Sequence, residues 1–252
     1  MTPEHPRDRY LTVYGRKPVL EVLADDTLSV ARVLIARGAR GAIISQIRAA
    51  ARERGVEVME KSAEQVSRIS RRPNQDQGVA ADVEAPAMGP IEDWLERHEG
   101  SASLLALDGV TTPANVGMIL RTATVIGLDG VIVPRRGTAT IGPHVIKASA
   151  GVAFRASILR CATIVDGLSA AKMAGFCVYG LSDRAGTSIA DVAFRERSIL
   201  LLGNESEGVG AAAAPLVDEW LAIPMASRGD SLNVASAAAI CAFVLRPRRS
   251  PS

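Results

Sequence analysis

The stretch ILLLGNESEGV (199–209) sets four consecutive apolar residues against a polar loop bounded by Gly203 and Gly208. A strand with one face in water alternates apolar and polar residues. An unbroken apolar run instead belongs in a parallel sheet covered on both faces. Outward from this stretch, Leu104–Asp108, Val131–Val133, Phe176–Leu181 and Trp220–Ile223 read as further strands. Pro113–Ile126, His144–Val152, Ala211–Val217 and Leu232–Leu245 read as helices between or after them. Strands alternating with helices predict an α/β fold with a mostly parallel sheet from about Ser101 onward.

The first 84 residues predict a smaller α/β domain. Val13–Ala24, Ala42–Arg54 and Ser62–Ser70 have helical spacing, the last with Ser62 placed as its N-cap. Val30–Ala36, Val56–Met59 and Gly78–Val83 read as strands, and Asn74–Gln77 as a polar loop before the last of them. Residues 85–100 hold Pro86, Gly89 and Pro90 among acidic side chains. They are expected to form a linker running into a short helix near Ile91–Glu99. The expected organisation is therefore 1–84, a linker at 85–100, and 101–252.

Composition narrows the function classes. With 48% hydrophobic and 22% charged residues over 252 positions, the chain has the makeup of a globular protein with its own core. Cys161, Cys177 and Cys241 are widely separated and form no C-x-x-C, which excludes a disulfide scaffold and a cysteine zinc site and fits a reducing cytoplasm. His5, His98 and His144 are isolated, so no metal is expected. MTPEHPRDRY lacks an apolar signal core, and the longest apolar run, VASAAAICAFVL, is too short to span a bilayer. The net charge of +2 conceals an asymmetry: residues 1–72 carry 14 basic and 9 acidic groups, residues 73–100 carry 1 and 7. Of the 29 basic residues 25 are Arg, which makes forked contacts to phosphate. That permits an RNA ligand, although a genome rich in Arg codons gives the same count.

Ligands of open α/β sheets bind at the carboxyl ends of the strands, where three loops stand out. LDGVTTPANVGMILRTA (107–123) follows a strand and carries Asn115 near a helix start, with Arg121 six residues on. Six steps of ~100° leave the two side chains about 120° apart, so they share no helix face. LLLGNESEGV (200–209) offers glycines where a ligand can approach the backbone. IPMASRGDSLNVASAAA (223–239) ends a strand and opens a small-residue helix, with Ser231 as its natural N-cap and Asn233 in its first turn. Each loop has an ordinary reading too, as a solvated arginine, a polar strand-to-helix turn or a capped core helix.

A competing pattern, Gly208-Val-Gly210-Ala-Ala-Ala213, matches the dinucleotide form G-x-G-x-x-A. Four residues, Asn204–Glu207, separate it from the strand-end Gly203, with Glu205 and Glu207 beside it, and no Lys or Arg lies between Arg197 and Arg228. A negative charge ~5 Å from a pyrophosphate charge costs ~3 kcal/mol at an effective dielectric of 20, so a nicotinamide cofactor is disfavoured. No G-x-S-x-G nucleophile elbow or P-loop is present.

Taken together, Asn115-Val-Gly117-Met-Ile-Leu-Arg121-Thr-Ala123, Gly203-Asn204-Glu205-Ser-Glu-Gly208, and Ile223-Pro224-Met225 with Ser231-Leu232-Asn233-Val234 resemble the three motifs of the SpoU (TrmH-type) RNA 2′-O-ribose methyltransferases. The match spans about residues 101–246. Ala235 stands where many relatives have a second serine. Tyr14–Leu23 and Asn74–Val79 are similar to the family's small RNA-binding domain, itself like ribosomal protein L30e, and this pairing points to the 23S rRNA branch.

The resemblance implies a SPOUT domain closed by a deep trefoil knot, working as a homodimer on RNA with S-adenosylmethionine. It implies cofactor contacts from Gly203, Asn204, Glu205, Gly208, Ile223, Pro224, Met225, Ser231 and Leu232. Arg121 corresponds to the catalytic arginine, with Ser231, Asn233, Glu205 and Asn115 also at the reacting centre. A tRNA-directed enzyme and a catalytically inactive RNA-binding relative are the alternatives.

Overall fold

The structure is a computed structural model that describes residues 10–70, 75–225 and 232–246. Ser231, Asn74 and the end of the chain past Arg246 therefore lie outside the described residues. The chain forms two compact units, Met1–Pro86 and Ala87–Ser252.

The first unit is a four-stranded sheet in the order β1-β4-β2-β3. Its elements are β1 (Tyr10–Tyr14), α1 (Arg16–Ala24), β2 (Val30–Ala36), α2 (Ala42–Glu53), β3 (Glu57–Lys61), α3 (Ala63–Ser70) and β4 (Val79–Glu84). β4 runs antiparallel to β1 and β2, and β3 runs parallel to β2. The helix expected from Val13 begins only at Arg16. Gly15, at φ +93°, separates it from β1, whose Leu11 and Val13 are buried in alternation. Ser62 caps α3 as expected: its Oγ accepts from Gln65 N at 3.2 Å, and its own N–H donates to Gln65 Oε1 at 2.9 Å. Asp82 is buried on the central strand, where Arg32 Nε at 2.8 Å and Thr12 Oγ1 at 2.8 Å donate to its carboxylate.

The second unit is an eight-stranded sheet in which every neighbouring pair runs parallel. It begins with β5 (Met88–Pro90) and α4 (Ile91–Arg97), inside the stretch expected as a linker. β5 pairs with β8 (Ile158–Cys161), and Ile91 and Trp94 are buried, so this stretch is an integral part of the unit. Then follow β6 (Ala102–Leu107), α5 (Pro113–Ile126), β7 (Gly130–Pro134), α6 (Pro143–Ala148), β8 and α7 (Ile164–Met173). The last elements are β9 (Cys177–Leu181), β10 (Thr187–Ser188), β11 (Arg197–Leu202), β12 (Glu219–Ala222) and α8 (Val234–Leu245). The strand order is β10-β12-β9-β11-β6-β7-β8-β5. β11 is inserted between β9 and β6, β12 lies outside β9, and α8 comes back to pack on β6 and β11 beside α5.

Both faces of the central strands are covered. Ile199 and Leu201 join Leu104, Ile132 and Leu168 in the core under α4 and α7. Leu200 and Leu202, one step out of phase, are as deeply buried on the face of α5 and α8. Three helix expectations change. Ala211–Val217 forms only a short 3-10 turn at Ala214–Leu216, where Pro215 has no N–H to give to a continuing helix. α6 stops at Ala148, because Ala150 (φ +52°) and Gly151 (φ +80°) turn the chain into the left-handed region. α8 starts at Val234, and its N-cap is Asn233, whose Oδ1 accepts from Ala235 N at 2.9 Å.

Gly117 is where α5 meets α6. A Cβ there would stand 2.6 Å from both Ala148 Cβ and the Val145 carbonyl oxygen. Gly117→Ala is expected to cost about 1–3 kcal/mol through forced separation of the helices, read as a lower urea midpoint. An unchanged midpoint would mean that α5 and α6 do not pack this closely.

Candidate active site

Because the strands of the second unit are parallel, β6, β9, β11 and β12 deliver their following loops to the same edge of the sheet. Loop 203–210 after β11 is closed on itself. Asn204 and Gly208 exchange two backbone hydrogen bonds of 2.9 Å, and Asn204 Oδ1 accepts from Ser206 N at 2.8 Å. Gly203 has no room for a side chain: a Cβ would lie 2.1 Å from the Gly208 carbonyl carbon. This loop is fastened to the one after β6 by Asn204 Nδ2 donating to Gly109 O at 2.9 Å and Gly210 N donating to Asp108 Oδ2 at 2.7 Å.

Asn115 joins all three predicted loops. Thr112 precedes α5 in extended backbone and Pro113 opens the helix, which places Asn115 in the first turn with its side chain buried. Its Nδ2 donates to Glu205 Oε1, and its Oδ1 accepts from Asn233 Nδ2 at 3.2 Å. One carboxamide thus links residues 90 and 118 positions away.

Beside this link lies a cavity of about 630 Å³, within the ~300–1,000 Å³ range of small-molecule sites. Of the residues expected to hold a cofactor, Gly203, Asn204, Glu205 and Gly208 line it, as do Ile223, Met225 and Leu232. Pro224 is exposed and is not among the lining residues. Leu181, Ser182, Asp183, Arg184 and Trp220 also line it, and the sequence reading singled out none of them. The available signal was a polar Ser-Asp-Arg loop directly after the apolar strand β9. Asp183, Glu205 and Glu207 set three carboxylates against the single guanidinium of Arg184, a balance that suits a cation better than a pyrophosphate.

Arg121 is not in the cavity. It is exposed on α5, in one stripe with Ala114, Met118 and Val125, while Asn115 points inward, as the 120° offset requires. The cysteines offer no nucleophile: all three are buried free thiols. Burial pushes Cys161 up to about 11 against the charge of Arg160, and pushes Cys241 up to about 12. Among the described residues no group of three or more His, Cys, Asp or Glu side chains is placed to hold a metal. No described helix is long and apolar enough to cross a membrane.

The profile of the SpoU rRNA Methylase family matches residues 102–243, the span that holds all three linked loops. The chain belongs to the SpoU rRNA methylase family. A second profile, RNA 2′-O ribose methyltransferase substrate binding, matches residues 12–88 of this SpoU chain. The 23S rRNA (guanosine-2′-O-)-methyltransferase RlmB of Xanthomonas campestris is 30% identical over 234 residues, covering 92% of the SpoU chain and 94% of the relative. The AdoMet-bound rRNA methyltransferase from Sinorhizobium meliloti superposes with a TM-score of 0.66 at 27% identity, covering 94% of this chain and 87% of that one. A putative TrmH-family RNA methyltransferase from Porphyromonas gingivalis gives 0.65 at 29% identity, covering 96% and 92%.

The Asn115–Glu205 contact can be measured. Asn115→Ala and Glu205→Ala are each expected to cost about 1 kcal/mol, because Glu205 is exposed and water replaces part of the lost bond. In a double-mutant cycle followed by urea unfolding the coupling energy should be about 1 kcal/mol. Strict additivity would mean that the two side chains do not interact.

Proposed function

We propose that this chain transfers the methyl group of S-adenosylmethionine to a ribose 2′-hydroxyl of 23S rRNA. The observation that carries the proposal is the Asn115 link, which draws the three family motifs to the rim of one cavity. The residues present fit the donor. Gly208 leaves open space where a side chain would stand, the apolar side chains of Ile223, Met225 and Leu232 suit the donor's uncharged parts, and Glu205 favours a sulfonium. A match over nearly the full length of an rRNA-directed relative, with its substrate-binding profile at 12–88, favours rRNA over tRNA. Arg121, Glu205 and Asn233 all stand in this sequence, which argues against an inactive relative. The 12–88 region, which holds most of the basic stretch 1–72, is assigned the role of an L30e-like RNA-binding domain. Three free thiols and an rRNA substrate fit a cytoplasmic setting.

Two features support a knotted, dimeric form. β11 enters between β9 and β6 after the chain has passed beyond them, and α8 returns from the far side of β9 to cover β6 and β11. A trefoil closed by the last strands and α8 accounts for that order. On the neighbouring helices α5 and α8, Met118 (41% exposed), Val125 (68%) and Phe243 (55%) give an apolar surface of the kind that marks an interface. Arg121 stands between Met118 and Val125 on the exposed stripe of α5. In a two-fold dimer through these helices, Arg121 serves the cavity of the partner subunit rather than its own.

Bound S-adenosylmethionine supplies a methyl group that is already electrophilic. The protein then has to position the 2′-hydroxyl and stabilise the charge that develops on it. A guanidinium is a poor proton acceptor and a good forked ligand for a phosphate and a forming alkoxide, and that is the role assigned to Arg121. The proton of the 2′-hydroxyl leaves to an RNA phosphate or a water, and the demethylated thioether of the donor is the leaving group. Asn115 and Asn233 have their side chains committed to each other, to Glu205 and to the α8 cap, so they act by positioning. Ser231, which lies outside the described residues, is assigned the part that the resemblance implies, assisting Arg121.

Unmethylated 23S rRNA incubated with enzyme and S-adenosylmethionine should gain a 2′-O-methylated nucleoside, detected by mass spectrometry. Arg121→Lys should lower turnover by about 100-fold or more while leaving donor affinity within twofold. Absence of ribose methylation, or full turnover by Arg121→Lys, would overturn the assignment.

A further inference from the structure

Trp220 lines the cavity. It lies on β12, which is held on both sides by hydrogen-bonded neighbours, β9 and β10. In the β9–β12 register it stands opposite Gly180, and a Cβ on that glycine would be 2.7 Å from the indole. The glycine therefore leaves the space in which the edge of the ring is lodged, and the indole has a fixed seat. It still remains 36% exposed, and it is the only aromatic side chain lining the cavity among the described residues. A seated indole left partly bare at a ligand cavity offers aromatic surface on which a flat base such as a purine can stack. Leu181 and Ile223 also line the cavity and add apolar surface to it.

We infer that Trp220 is the platform on which the adenine of the methyl donor stacks, so that it sets affinity for the purine rather than for the sulfonium. This rests on the donor reading given above. It makes Trp220 a binding residue whose substitution affects the donor's nucleoside half.

The experiment uses the full chain. Calorimetric titrations with S-adenosylmethionine and with adenosine compare wild type, Trp220→Phe and Trp220→Leu. Leucine still covers Gly180 but offers no ring. Trp220→Leu should weaken both ligands by about ten-fold to a hundred-fold, and Trp220→Phe should stay within a few-fold of wild type. Because the chain has two tryptophans, Trp94→Phe leaves Trp220 as the single reporter, and adenosine should change its emission. That readout does not require the Leu variant to fold. Wild-type affinity in Trp220→Leu, or emission unaltered by saturating adenosine, overturns the inference. Failure of the wild type to bind S-adenosylmethionine at all overturns the donor reading itself, a separately visible result.

Discussion

A parallel sheet sends its loops to one edge, but it does not join them. Here the joining is done by the side chain of Asn115. It donates to Glu205 after β11 and accepts from Asn233 at the start of α8. Asn233 in turn caps α8, and α8 packs on the strands that carry the other two loops. The carboxamide is buried, so leaving either of its ends without a partner is costly, which holds the three segments in one arrangement. The closed Asn204–Gly208 loop and its bond to Gly109 O brace the same junction from the solvent side.

Much of this was legible in the chain. ILLL at 199–202 announced a doubly covered parallel strand, and Leu200 to Leu202 are buried on alternating faces. The three polar loops after apolar strands were legible as well, because strand polarity fixes the edge to which they go. The 120° offset between Asn115 and Arg121 separates an inward from an outward residue on spacing alone. The order of strands is a different matter. Nothing local in residues 197–202 says that β11 lies between β9 and β6, since this is settled by how the whole chain packs.

The misreadings have local causes. Gly15 divides what looked like one helix from Val13 into a strand and a helix, and Pro215 ends an alanine run that propensity favours as helical. Residues 85–100 looked like a linker because proline and acidic residues are common there. Met88, Ile91 and Trp94 nevertheless bury against the second unit's own sheet and helices. Loop 182–184 and Trp220 escaped notice because a single polar turn and a lone tryptophan are unremarkable until a cavity gathers them.

The central claim is that segments distant in sequence form one donor pocket. Hydrogen–deuterium exchange with and without S-adenosylmethionine tests it directly. Amides of 182–184, 203–209, 223–225 and 232–233 should gain protection together, at one ligand concentration, with little change elsewhere in the second unit. Protection confined to a single segment, or appearing away from all of them, would contradict the account.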